Sequence, residues 1–146
     1  MYIADGKTNG PAFSWPDGKR IAVMVTFDYD AEFLRISRAK SKGTSIGFTD
    51  FSRGQYGPHE GLARCLDMLD TMNIKSTFFV PGAVIETYRD TVEEIHRRGH
   101  ELACHGYRHE SDPELSRDEM IKILDKSEAL LAEITGKKPV GHRAPE

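Results

Sequence analysis

The sequence predicts an α/β fold assembled from parallel βα repeats. Short, β-branched apolar runs alternate with longer stretches whose apolar residues recur at helical spacing. Each run ends at a glycine, a proline or a polar cluster. Strand–helix–strand connections are right-handed crossovers almost without exception, which sets successive strands parallel. Periodicity alone does not choose between an open sheet and a closed barrel. An eight-unit barrel takes ~250 residues, so the four strands expected in 146 residues supply roughly half of one.

Arg20–Phe27 (RIAVMVTF) is the first strand, apolar enough to be covered on both faces. Residues 28–56 read as a long polar connection containing glycines, a length that marks function or disorder. Pro58 opens a helix to about Asn73, with Leu62, Cys65, Leu66, Leu69 and Met72 at helical spacing. Its start, Gly57–Gly61 (GPHEG), reads as a proline-initiated turn, with an anion-binding helix N-terminus as the alternative. Lys75–Val80 (KSTFFV) is the second strand, stopped by Pro81-Gly82. Asp90–Arg98 is a short helix with Val92, Ile95 and His96 on one side and Gly99 as its stop. Glu101–Cys104 (ELAC) begins a third strand that ends near His105. Ser116 and Glu119 form a capping box, and Met120, Ile123, Leu124, Leu130, Leu131 and Ile134 line one face of the helix up to Gly136. Pro139–Glu146 reads as a fourth strand just leaving its carboxyl end.

With 38% hydrophobic residues, 29% charged and 13 glycines, the chain suits one soluble domain over residues 1–146. No stretch approaches the ~18 apolar residues of a membrane helix. The net charge is −3 and the 20 basic residues are dispersed, which gives no electrostatic case for nucleic acid. Residues 1–20 carry no basic-then-apolar leader, so a cytoplasmic location is expected. Cys65 and Cys104 sit in apolar patterns and read as small buried hydrophobes, not a disulfide framework.

Three polar clusters fall at the carboxyl ends of expected strands, the rim where parallel sheets and barrels bind ligands. They are Thr26–Asp30 (TFDYD), His105–His109 (HGYRH) and His142–Pro145 (HRAP). The spacing of His105 and His109 suits two imidazoles converging on one ion. With Asp30 they leave a coordination position open, the pattern of catalytic rather than structural zinc, so Zn2+ or another divalent transition metal is expected there. Asp28, two residues earlier, is placed to act as general base on a metal-bound water, whose pKa such an ion lowers from about 15.7 towards about 7. Arg143 can orient and tune Asp28. Taken singly these signals are weak: a histidine pair is often solvated, Asp-x-Asp is often turn chemistry, and an arginine is often a surface ion pair. Their joint placement on successive strand ends carries the metal-site reading. Tyr107 and Tyr29, each between two candidate site residues, are candidates to stack on a substrate, with Tyr56 and Trp15 behind them.

Together TFDYD, FFVPG, RRGHELACHGYRHE and GHRAP resemble the polysaccharide deacetylase (NodB-homology) family, above all its subgroup of intracellular peptidoglycan-deacetylase-like proteins and cyclic-imide or allantoin hydrolases. The likeness runs from about Arg20 to the last residue and is strongest over Lys75–Glu110. It implies a distorted (β/α) barrel, of which this chain would form roughly half. It further implies zinc-dependent removal of N-acetyl groups from amino sugars. Position by position, it implies Asp28 as catalytic base, Asp30, His105 and His109 as metal ligands, and Arg143 as the arginine that tunes the base.

There are departures from the family pattern. Tyr29 separates the two aspartates, and Glu146 follows the Arg-x-Pro motif where an aromatic residue is usual. The family's later motifs, which supply a histidine to protonate the leaving amine and line the acetyl pocket, are absent. The chain therefore reads as truncated, with amide cleavage impaired, since general acid–base help is worth ~10²–10⁴-fold. His59 and His142 are substitutes that no motif matches to that role. Three functions stay open at this point: a deacetylase of N-acetylated sugars, a hydrolase of a small cyclic amide such as an imide or ureide, and an inactive half-barrel. The last would bind metal or ligand, or pair with itself as a homo-oligomer to cover its open edges.

Overall fold

The frame of the molecule is a small parallel sheet whose strands all point their carboxyl ends at one rim. The computed structural model describes residues 15–110 and 115–145. Strands β1 (Thr26–Asp28), β2 (Thr77–Val80) and β3 (Glu101–Cys104) lie in the order β1-β2-β3. Asp28 stands beside Phe79, and Val80 beside Cys104, so the strand ends stay level. Among the described residues eight helical segments connect and flank them: a 3₁₀ turn (Pro16–Gly18), then α1 (Phe33–Ser41), α2 (Phe48–Tyr56), a π-turn (Gly57–Gly61), α3 (Leu62–Thr71), α4 (Gly82–Thr87), α5 (Arg89–Arg97) and α6 (Arg117–Thr135). The α/β class and parallel order are those the sequence predicts.

The core forms where apolar helix faces meet the sheet. Leu62, Leu66 and Leu69 of α3 pack with Phe78 and Val80 of β2, Val84 and Ile85 of α4, Val92 and Ile95 of α5, Leu102 and Cys104 of β3, and Leu131 of α6. Each fully buried Leu, Ile or Val contributes roughly 1.5–3 kcal/mol. Phe27 of β1 stacks on Phe78 at 5.0 Å, tying the edge strand to the centre. The capping box forms as expected, with Glu119 N–H on Ser116 Oγ and Ser116 N–H on Glu119 Oε2, and Gly136 ends α6 at φ 74°. Gly99, at φ 78°, ends the α5 turn. On these two helices His96 and Ile121 are exposed, and on α3 Met72 is exposed.

The structure corrects several expectations. The first strand is ordered as sheet only at Thr26–Asp28, and Ile21, Val23 and Met24 are 72%, 79% and 87% exposed. Among the described residues β1 is an edge strand with β2 as its neighbour, and of the segment before it residues 21–24 are exposed while Val25 packs against the core. The long polar connection after β1 is mostly helix. In α1 the basic residues Arg38 and Lys40 stand in the last turn, where they suit the helix dipole, and Phe33 packs on the core.

Pro58 does not open a helix. It sits inside a π-turn (Gly57–Gly61) in which Leu62 N–H reaches Gly57 C=O, joining α2 to α3. The wider π register tolerates the missing proline N–H. Both readings of that segment, a helix start and an anion-binding N-terminus, fall with it. Pro81-Gly82 ends β2 but also starts α4. The fourth strand shrinks to one parallel bridge, Cys104 to His142, made by Cys104 N–H on Gly141 C=O (2.9 Å) and Arg143 N–H on Cys104 C=O (3.0 Å). Glu146 lies outside the described residues. No described helix is long and apolar enough to cross a membrane.

Candidate metal centre

Asp30, His105 and His109 each offer a ligand atom, and the three atoms lie within 4.8 Å of one another. They arrive from two directions. Asp30 follows β1 on a turn in which Ala31 takes φ 49°, and Phe33 N–H closes back on Asp30 C=O at 3.0 Å. His105 follows β3, and the chain then turns through Gly106 (φ 68°) to bring His109 (φ 59°) back beside it. The two imidazoles meet edge to face, 5.1 Å between centroids.

Protonation follows from the hydrogen bonds. His105 Nδ1 lies 2.8 Å from Arg143 C=O, and a carbonyl only accepts, so Nδ1 carries the proton. Nε2 therefore presents a lone pair to Asp30 Oδ1, 3.5 Å away. His109 Nε2 stands 3.8 Å from Asp30 Oδ2. Oδ1 is buried and has no hydrogen-bond donor. Burial raises the Asp30 carboxyl above its ordinary pKa, against the pull of His105 and His109. Burial lowers that of His109, which favours the neutral imidazole a metal needs. An acceptor-rich cluster with an orphaned buried oxygen fits a divalent cation, and imidazole with carboxylate suits zinc and its neighbours. His105 is also oriented through its far nitrogen, as metal-bound histidines are.

Beside the cluster, the Arg143 side chain makes three contacts among the described residues. Nη1 pairs with Asp28 Oδ1, Nη2 donates to Thr26 Oγ1 at 2.9 Å, and the guanidinium lies over the Phe79 ring at 3.9 Å. The Asp28 side chain keeps 40% of its surface exposed, so it is fixed on one side and open on the other. Of the expected site residues, the structure thus joins Asp30, His105 and His109 in one cluster and pairs Asp28 with Arg143.

The two stacking candidates are corrected. Tyr29 is 6% exposed in the core, with its hydroxyl 2.8 Å from Thr91 Oγ1, and burial pushes its pKa up to about 12. Alternation along the β1 exit turns Tyr29 inward while its neighbours turn to the rim. The Tyr107 ring is half-buried, with Lys126 Nζ 3.8 Å from its centroid and Gly82 packed close to its Cδ2, so the ring is already engaged by the protein. Its hydroxyl donates to Glu86 Oε2 at 2.5 Å. His59 is exposed in the π-turn with its ring against Tyr88, and His142 is exposed. Cys104 is buried and Cys65 half-buried, and burial raises both thiols.

Several residues that matter here carried no sequence signal of their own. Thr26 and Phe79 hold Arg143. Ser37 Oγ donates to His109 C=O at 2.5 Å. Ser127 is wholly buried on α6 and donates to Gly106 C=O at 2.8 Å. A small polar residue on that apolar stripe was the one trace available.

Comparison with known proteins shows the family and the fold. The family model for polysaccharide deacetylase matches residues 16–146. A peptidoglycan deacetylase from Helicobacter pylori is 35% identical over 127 residues, covering 87% of this chain and 42% of its own length. A Mycobacterium smegmatis protein assigned to the polysaccharide deacetylases superposes with a TM-score of 0.81 at 41% identity, over 94% of this chain and 48% of that one. Puue allantoinase superposes with a TM-score of 0.79 at 22% identity, over 92% of this chain and 50% of that one, a likeness of fold alone. The chain spans about two fifths of the length of the curated relatives it matches.

Proposed function

The chain belongs to the polysaccharide deacetylase family, and on that premise we propose that it carries the metal-holding and base-bearing part of a hydrolase that removes N-acetyl groups from amino sugars. The observation that carries the proposal is the convergence of Asp30, His105 and His109 beside the Asp28–Arg143 pair. Proteins of this family act on acetylated sugars and are generally metal-dependent. Zinc is the ion the donor set suits best.

The roles follow from position. Asp30, His105 and His109 hold the ion, which when bound supplies the positive charge that acidifies water and polarises an acyl carbonyl. Asp28, open to solvent on one side, takes the proton from the water that attacks the acetamide. Arg143 and Thr26 hold the Asp28 carboxylate in one orientation, and Phe79 supports the guanidinium from below. Protonation of the leaving amine is a separate task that this cluster does not assign.

Acetate release from N-acetylglucosamine oligomers, measured with zinc supplied, tests the assignment. Asp28→Asn should lower release by roughly 10²-fold or more while zinc stays bound. Release that survives the substitution would remove Asp28 from the role of base. A panel of cyclic imides and ureides run beside it separates the second reading. Ring opening without acetate release would assign the site to small cyclic amides, and neither reaction in zinc-loaded protein would leave the chain a metal-binding half-barrel.

A further inference from the structure

Resting on that reading of the site, we propose that Ser127, on a helix distant in sequence, is a positioning residue that sets the geometry of the two histidine ligands. The turn from His105 to His109 contains two left-handed residues, Gly106 at φ 68° and His109 at φ 59°. A non-glycine residue holds such a conformation only where its surroundings impose it. Here they do. Gly106 C=O accepts two hydrogen bonds, from Gly82 N–H (3.0 Å) and from Ser127 Oγ (2.8 Å). Tyr107 C=O accepts from Ala83 N–H at 2.8 Å. Glu110 Oε2 takes the N–H groups of Tyr107 (3.0 Å) and Arg108 (2.9 Å), and His109 C=O accepts from Ser37 Oγ.

Ser127 is the side-chain donor of this set that is wholly buried. Its side chain is 0% exposed on the face of α6 that also buries Leu131, where alanine would satisfy the core. The hydroxyl's partner is the carbonyl next to His105. The approach is tight, since a Cβ at Gly82 would lie 2.6 Å from Tyr107 Cδ2 and 2.8 Å from Ser127 Oγ. Gly82 thus lets α4 and α6 close on the turn together, and Ser127 locks the Gly106 carbonyl between them. Partners one step behind metal ligands commonly change affinity 10–100-fold when removed.

The test compares Ser127→Ala with Leu131→Ala, a buried substitution on the same helix at a side chain that cannot hydrogen-bond to the turn. Zinc affinity is measured by titration calorimetry, ligand geometry by the visible spectrum of the cobalt-substituted protein, and stability by metal-free urea unfolding. Ser127→Ala should bind zinc about ten-fold more weakly, with an altered cobalt spectrum and a nearly unchanged unfolding midpoint. Leu131→Ala should lose stability while keeping zinc affinity and spectrum. Ser127→Cys, which keeps a weaker donor of similar size, should restore part of the affinity. Wild-type affinity and spectrum in Ser127→Ala would overturn the proposal, as would weakening that merely tracks lost stability. Should Ser127→Ala fail to fold, Ser127→Cys decides by the same two readouts. Failure of the unsubstituted chain to bind zinc or cobalt would overturn the metal site itself.

Discussion

His100 shows how a single buried side chain carries a pH dependence outside the proposed metal site. Its imidazole is 3% exposed, packs 5.4 Å from Phe78, and accepts the Ser76 N–H on Nδ1 at 3.2 Å, leaving Nε2 buried without a partner. Burial lowers its pKa, Lys75 and Arg98 add to that effect, and Asp70 opposes it. A lowered histidine pKa means that the unfolded chain binds the proton more readily. Stability from the neutral ring is therefore complete above the ordinary value of ~6.5 and is lost as the pH falls below it. The urea midpoint should drop between pH 7.5 and 5.5 by more in the wild type than in His100→Asn, which keeps an acceptor for Ser76. Equal drops would show that His100 contributes nothing. Arg143 makes the complementary point. Its planar fork reaches Asp28 and Thr26 at once while stacking on Phe79, a combination lysine cannot reproduce.

At the scale of elements, α2 meets the loop that carries Asp30 through a glycine. Gly54 is buried, and a Cβ there would lie 2.4 Å from Glu32 Cα and 3.0 Å from Glu32 N, backbone atoms that cannot swing away. Gly54→Ala should cost about 1–3 kcal/mol by forcing α2 outward. Gly47→Ala, which meets open space, should stay within about 0.5 kcal/mol. Equal unfolding midpoints for the two variants would contradict the close approach. This contact also explains what sequence reading could and could not reach. β2, β3, α5 and α6 were legible because their apolar spacing, capping box and terminal glycines agree with one another. α1 and α2 were not, since FLRISRAKS and FTDFSRGQY hold too few apolar residues to show a period, and packing decides them. The π-turn was hidden because Pro58 after Gly57 looks like a helix start. In the site, the clustering of Asp30, His105 and His109 at strand ends was readable from residue type, whereas the direction of Tyr29 and Tyr107 was not, because an aromatic residue suits core and rim equally.

For the whole molecule, the proposed ligands come from segments far apart in the chain, Asp30 on one side and His105 and His109 on the other. An unfolded chain does not bring them together, so a bound ion should favour the folded state. At a free zinc concentration 100-fold above Kd the unfolding free energy should rise by about 2.7 kcal/mol. An unfolding curve indifferent to zinc would contradict a site shared between these segments. The open flanks are the other property of the whole. Ile21, Val23 and Met24 before β1, and Val140 before the His142 bridge, remain exposed, although parallel sheets are usually covered on both faces. The chain spans about half the length of its structural neighbours, and its three-stranded sheet is the corresponding part of their (β/α) barrel.

The central claim is that two histidines and one aspartate form a metal site, and the metal content of the purified protein tests it most directly. Measured by elemental analysis beside His105→Ala and His109→Ala, the wild type should hold about one equivalent of zinc or a similar divalent ion, and each variant should lose it. A folded wild-type protein that holds no metal after exposure to zinc, or variants that hold as much as the wild type, would contradict the account.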